Sequence, residues 1–256
     1  MIAYFDCIGG IAGDMTLGAL VDAGMPMEIL QVSIDQLHLN GLSVKSEVVK
    51  KNGFGATKVN VLANGCGGGR GYYEIRKIIE ASDIPMGIQE KSLQIFHRLA
   101  EAESRIHRMK IEEVHFHEIG AMDAIVDIVG SVAGLEWFGV TRVVGSSLPV
   151  GTGLIDSAHG RQPVPAPATL ELIKDVPIRG TSIEAELVTP TGAAILTTLA
   201  DEFGPIPSMR EKAVGYGAGT RDLEVPNVLR LLVGEPLGTV GGEMNDNETV
   251  ERLAMV

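Results

Sequence analysis

The densest set of chemically capable side chains lies between Glu113 and Asp127, in the run EVHFHEIGAMDAIVD. His115 and His117 are two apart, so in an extended chain both imidazoles face one side, as two ligands of one metal ion must. Glu118 follows at once. Asp123 and Asp127 are four apart, which on a helix puts both carboxylates on one face. Ile125, Val126, Ile128 and Val129 make that helix apolar. Carboxylates set among such residues are costly to bury unless paired or metal-bound. The plainer reading is one structural histidine and one aspartate that caps or braces a loop.

Four further stretches carry chemistry in a weaker form. FDCIGGIAGD, Phe5 to Asp14, is a strand, a glycine loop and a helix start. Gly9, Gly10 and Gly13 would allow backbone N–H groups to face an anion, although neither a dinucleotide fingerprint nor a P-loop is present. Asp6 and Asp14 would oppose a bare phosphate and suit a cation or a hydroxyl; an ordinary tight turn explains the glycines as well. HGRQPVPAPAT, His159 to Thr169, is a proline-stiffened connection that could hold His159 and Arg161 toward a ligand. LVTPTGAA, from Leu187, sets Thr189 and Thr191 at a helix N-terminus, where capping is the simple explanation. VGYGAGTRD and PNVLR bring glycines together with Arg221 and Arg230, forks for carboxylate or phosphate unless internal aspartates pair with them. Cys7 is a soft ligand, a nucleophile or a packing residue.

The elements that position these residues follow from periodicity. Ile2–Phe5 reads as a buried strand, then a helix capped by Asp14 and stopped at Gly24-Met25-Pro26. A second helix runs from Pro26, at its first position, to about Leu37. Ser43–Val49 and Ala56–Leu62 alternate about a turn, which predicts a hairpin. Helical spacing covers Tyr72–Ala81, Met86–Arg108 and Ala121–Phe138, with a short alternating segment at Val114–Ile119. Arg142–Val150 reads as a strand and Gly151–Pro167 as a long loop. Helices follow over Ala168–Lys174 and Thr191–Phe203, then strands over Arg210–Gly215 and Asn227–Val233. The expectation is an α/β or α+β fold, a mixed sheet with flanking helices in a single compact domain over residues 1–234. A sub-boundary is possible near the Gly-rich patch NGCGGGRG. Residues 235–256 carry five acidic residues and one basic, and read as an acidic tail or linker.

The chain has 256 residues and a net charge of −12. That balance makes nucleic acid and anionic membrane surfaces poor partners. Only 4% of residues are aromatic, too few for base-stacking platforms. No signal peptide or run of about 20 apolar residues is present, so the expected location is cytoplasmic, with no membrane partner. Two cysteines, Cys7 and Cys66, make no disulfide framework.

Taken together in order, FDCIGGIAGDM, AEAESRIH, VHFHEIGAMDAIVDIVG, SSLPVGTG, HGRQPVPAPATLELI, ELVTPTGAAIL, GYGAGTRD and PNVLR closely resemble the LarC family of nickel insertion proteins. The resemblance covers about Ile2–Glu235. It implies a nickel insertase that places nickel into a pyridinium bisthiocarboxylate mononucleotide, with CTP hydrolysis and manganese or magnesium. The product cofactor serves lactate racemase-type recipients. Family members continue into a second, CTP-associated domain, so the chain resembles the amino-terminal half and would partner a carboxy-terminal LarC half; a homo-oligomer is also open. Many members have a His-rich stretch where NGCGGGRG stands here. On this reading His115, His117 and Glu118 would be metal ligands, with Asp123 or Asp127 as a further carboxylate. His115, His117 and Asp123 would be the catalytic groups. Asp6, Asp14 and the glycine loop would line the same cleft, and Arg161, Arg221 or Arg230, with Thr191, would hold the nucleotide. Two alternatives stand beside it: a non-enzymatic metal-binding or scaffold subunit, and a metal-dependent phosphohydrolase.

Overall fold

A computed structural model describes residues 1–39, 41–63, 69–116, 122–157 and 160–237. His117, Glu118, Cys66 and His159 lie outside the described residues. The chain begins with β1 (Ile2–Asp6), α1 (Gly13–Asp22) and α2 (Met27–Asp35), then the hairpin β2 (Leu42–Lys51) and β3 (Phe54–Ala63). Next come β4 (Arg70–Gly71), α3 (Tyr72–Glu80), α4 (Met86–His107), β5 (His115–Phe116) and α5 (Met122–Trp137). The strands β6 (Arg142–Gly145), β7 (Leu148–Val150), β8 (Leu154–Ser157) and β9 (Gly160–Pro163) precede α6 (Pro167–Leu172) and β10 (Ile178–Gly180). Last are α7 (Pro190–Leu199), β11 (Glu202–Phe203), β12 (Met209–Ala218) and β13 (Val228–Pro236).

Seven strands form one mixed sheet in the order β11-β6-β1-β13-β12-β3-β2. β1 lies inside it, next to the central β13, parallel to β6 and antiparallel to β13, with Tyr4 opposite Val144 and Leu232. Ile2 to Phe5 are all buried, which is why β1 reads as a continuous apolar run and not an alternation. Ala3, Phe5 and Cys7 face the helices and join the main core, while Ile2 and Tyr4 face the other way in a small cluster with Val144 and Leu232. Beneath the main face lies α5, packed against α1, α2, α4 and α7. Its side chains are buried almost all round, which accounts for its lack of a polar stripe.

Close backbone contact sets α1 on the sheet. A Cβ on Gly217 would lie 1.7 Å from the Met15 carbonyl oxygen, so only glycine lets β12 pass under the helix. The expected mixed sheet with flanking helices is thus present. Several elements differ from expectation. The strand expected over Arg142–Val150 is two strands, β6 and β7, because at the break Ser146 Oγ accepts the Cys7 N–H at 2.9 Å. The expected loop Gly151–Pro167 contains the hairpin β8–β9, paired from Leu154↔Pro163 to Ser157↔Gly160. The expected helix to Phe203 stops at Leu199: Asp201 N–H and Oδ2 bond to Val143, and β11 then pairs with β6. Asp14 lies within the first turn of α1, and Ala12 is the N-cap. Pro26 caps α2 instead of opening it, and that helix ends at Asp35. β13 runs to Pro236, two residues past the expected domain edge, with Glu235 opposite Arg210.

Candidate functional site

Three helices begin at one cleft of about 370 Å³. Gly13 and Asp14 come from the start of α1, Asp123 and Asp127 from the start of α5, and Thr189 and Thr191 from the start of α7. Lys58 to Val61 of β3 and Thr220 close it. Each helix N-terminus presents roughly half a positive elementary charge through its free N–H groups. That field, with Lys58, makes three carboxylates tolerable in one place.

The loops that converge here are locked backbone to backbone. Ile11 N–H donates to the Leu187 carbonyl at 2.9 Å, and Thr189 N–H returns a bond to the Ile11 carbonyl at 3.1 Å. Gly10 has a φ of +122° and no room for a Cβ, which would meet the Leu187 oxygen at 1.8 Å. Gly9 N–H donates to the Val228 carbonyl at 3.0 Å. With the Gly9 and Ile11 donors committed in this way, Gly9 and Gly10 hold the loop against its neighbours. Thr189 caps α7 by accepting the Gly192 N–H at 3.1 Å, which leaves Thr191 on the cleft wall.

The three carboxylates have different surroundings. Asp14 Oδ2 accepts from Lys58 Nζ at 2.9 Å, and its Oδ1 accepts the Met15 N–H. Lys58 also donates to Thr220 Oγ1 at 2.9 Å. Asp123 is exposed and its Oδ1 accepts the Ala124 N–H at 2.8 Å. Asp127 is the exception. Its Oδ1 is buried with no hydrogen-bond partner among the described residues. A Cβ on Gly13 would fall 2.2 Å from Asp127 Oδ2, so the glycine makes the space that the carboxyl fills. Burial, with the nearby Asp14 and Asp123 charges, pushes the Asp127 carboxyl well above the usual carboxylate range; the pull of Lys58 in the other direction is smaller. A buried carboxyl of this kind gains strongly from a cation placed against it.

The structure thus brings Asp14, Asp123, Asp127, Gly13 and Thr191 together and puts the other expected residues elsewhere. His115 is exposed in β5, opposite Gly71 of β4, outside the lining of this cleft. Among the described residues no three His, Cys, Asp or Glu side chains already stand as a metal-holding group. Asp6 lines a separate cavity, and both Nε and Nη2 of Arg230 donate to its Oδ2. Arg161 lies on β9 with its side chain 70% exposed, 3.8 Å from Asp156. Arg221 is exposed, and its carbonyl accepts from Asn227 Nδ2 and Lys51 Nζ. Cys7 is fully buried and its thiol is pushed up to about 12 by that burial, so it stays protonated and acts as packing. Lys58 and Thr220 went unseen in the sequence. Lys58 is one polar residue in an alternating hairpin, and only the folded register brings it to Asp14.

The nickel insertion protein family matches residues 3–256. A protein of Desulfitobacterium hafniense (strain DCB-2), named pyridinium-3,5-bisthiocarboxylic acid mononucleotide nickel insertion protein, is 51% identical over 233 residues, 91% of this chain and 58% of that relative. Its namesake in strain Y51 is 50% identical over the same shares. A relative given the family's name provisionally, in Synechococcus sp., is 47% identical over 97% of this chain and 64% of its own length. The chain therefore spans about three-fifths of the length of the curated relatives it matches. No solved structure gives a significant match. With a family match over nearly all of its length and about half of the aligned residues identical in a named member, the chain belongs to the nickel insertion protein family.

Proposed function

We propose that this chain is the amino-terminal part of a nickel insertase acting on pyridinium bisthiocarboxylate mononucleotide, and that the cleft at the three helix N-termini is its divalent metal site. The observation that carries the proposal is the orphaned, buried Oδ1 of Asp127, set beside Asp14 and Asp123. An oxygen donor set of this kind fits a hard cation such as manganese or magnesium. Asp14, Asp123 and Asp127 would hold it. Bound there, it would screen phosphate charge and polarise phosphate oxygens. Lys58 and the N–H ends of α1 and α7, beside Thr191, would draw the phosphate of the mononucleotide into the same cleft. Arg221 and Arg161 are held in reserve as phosphate contacts from outside it.

Nickel is the substrate metal in this reading. His115, with His117 and Glu118, would deliver it, since imidazole suits nickel. A cation needs the ionised form of Asp127, which burial disfavours, so affinity should weaken as pH falls. CTP use is assigned to the portion of the relatives that this chain does not span, and lactate racemase-type proteins to the receiving end. A cytoplasmic setting follows from the same role. Among the described residues no helix is long and apolar enough to cross a membrane.

Calorimetric titration of the purified chain with manganese and with nickel tests the site. Asp127→Asn should weaken manganese binding strongly, and His115→Ala together with His117→Ala should weaken nickel selectively. Equal binding of both metals by all three proteins would overturn the assignment. Supplying the precursor and nickel to this chain alone, and then with a carboxy-terminal half, separates an active insertase from a scaffold that needs its partner.

A further inference from the structure

The carboxyl ends of three parallel strands meet at a second cavity, of about 360 Å³, lined by Tyr4, Asp6, Ser146, Ser147, Arg179 and Pro205 among others. β1 ends at Asp6, β6 is followed by Ser146-Ser147, and β11 by Gly204-Pro205; β1 and β11 both run parallel to β6. Crevices just outside the carboxyl ends of parallel strands are where open α/β sheets take their ligands. This cavity lies on the side of β1 that Tyr4 faces, turned away from the main core.

Its electrostatics differ from those of the first cleft. Arg230 pairs with Asp6 through Nε at 3.1 Å and through Nη2, so the one carboxylate in the lining is already neutralised. Arg179 has no such partner. Its Nη2 donates to the Cys7 carbonyl at 2.8 Å and the Ile8 carbonyl at 2.9 Å, which fixes the guanidinium by neutral groups only. No carboxylate among the described residues lies within ion-pair distance of it. Ser146 is oriented by accepting the Cys7 N–H at 2.9 Å and donating to the Ser147 carbonyl at 3.1 Å. The Ser147 hydroxyl has no protein partner among the described residues. A fixed, uncompensated guanidinium beside a free hydroxyl, in a chain of net charge −12, is a local positive feature that serves no internal ion pair.

We propose that this cavity is a second binding site, specific for the oxyanion group of a small molecule, a phosphate or carboxylate, gripped by Arg179 and Ser147. The Arg230–Asp6 pair sets the wall beside it and keeps Asp6 from repelling the anion. Tyr4, Pro177 and Pro205 supply apolar surface for the rest of the ligand. The site stands independently of the metal cleft.

Titration of the full chain with inorganic phosphate, ribose 5-phosphate and pyridine-3,5-dicarboxylate, followed by calorimetry, tests it. At least one probe should bind the wild type, and which one tells phosphate from carboxylate. Arg179→Gln should weaken that binding about 10-fold or more, Arg179→Lys should restore part of it, and Ser147→Glu should abolish it. Ser147→Glu leaves the Arg179 bonds to Cys7 and Ile8 in place, so it decides the matter if Arg179→Gln proves unstable. Binding that survives Asp127→Asn and is lost with Ser147→Glu belongs to this cavity. No binding by any probe, or binding lost with Asp127→Asn and kept in Ser147→Glu, would overturn the proposal.

Discussion

Asp6 and Asp127 are both aspartates in apolar segments, and the fold treats them in opposite ways. Asp6, at the end of β1, receives two bonds from one guanidinium. Asp127, at the start of α5, receives none on its Oδ1 and is pressed against Gly13. Both bonds fall on Oδ2, and this paired guanidinium offsets the Asp6 charge, so Asp6 attracts an added cation less than an unpaired carboxylate would. An ionised carboxylate kept without a partner inside the molecule costs stability, and either a proton or a bound cation relieves that cost. Proximity of acidic residues in sequence could not tell these cases apart; the guanidinium beside one and the burial of the other do.

The largest expected effect tests that contrast directly. Asp127→Asn should lower manganese affinity by roughly 100-fold, since it removes the charge that a cation would meet. Asp6→Asn should leave that affinity within about twofold of wild type, measured in the same titration. Gly13→Ala comes next. Its Cβ cannot occupy the space 2.2 Å from Asp127 Oδ2 without moving the carboxyl, so it should cost about 1–3 kcal/mol in urea unfolding and weaken metal binding together. Stability lost with unchanged metal affinity would mean that the carboxyl position is unimportant.

A pH series of thermal melts in chelator gives a smaller, signed effect. The folded chain holds the Asp127 proton to higher pH than the unfolded chain does. Its stability is therefore full below the ordinary aspartate value near 4 and falls as pH rises through the higher folded value. Asp127→Asn should melt above wild type at pH 8, and the gap should close at pH 4; a constant gap would contradict the burial argument. Smallest is the cost of Asp6→Asn to stability. The pair is partly solvated, with side chains 39% and 21% exposed, so about 1 kcal/mol or less is expected in urea unfolding.

Much of the architecture was readable from pattern. The spacing of Leu93, Phe96 and Leu99 marked α4, and the alternating runs around Asn52-Gly53 marked the hairpin, because one residue's neighbours in sequence decide both. Elements set by distant partners were misread. Nothing local says that Asp201 will take the Val143 N–H and end α7, or that Ser146 will take the Cys7 N–H and split a strand. The site was half visible for the same reason. Asp123 and Asp127 share a helix face and could be paired on spacing alone. Asp14 joins them in the sequence only through the family resemblance and Lys58 not at all, because they arrive from α1 and β3 and that meeting depends on the order of strands in the sheet. Asp6 and Asp14 share one glycine-loop motif in the sequence, yet β1 ends at a different cavity from the one where α1 begins.

The hairpin that supplies Lys58 is joined to the rest of the sheet by a ladder one residue pair wide, Gly217 with Thr57. Side chains do the remaining work. The Asp22 carboxylate accepts the Thr57 hydroxyl at 2.6 Å with one oxygen and the Tyr216 N–H at 2.8 Å with the other, clasping β3 to β12. At the tip, Lys51 and Asn52 bond to the stretch from Thr220 to Glu224. A unit fastened by clasps instead of a continuous ladder should exchange its amide protons ahead of the central strands in a hydrogen-exchange experiment. Since Lys58 rides on that unit, the ammonium that faces Asp14 is held in the cleft by those clasps as much as by its own ion pair.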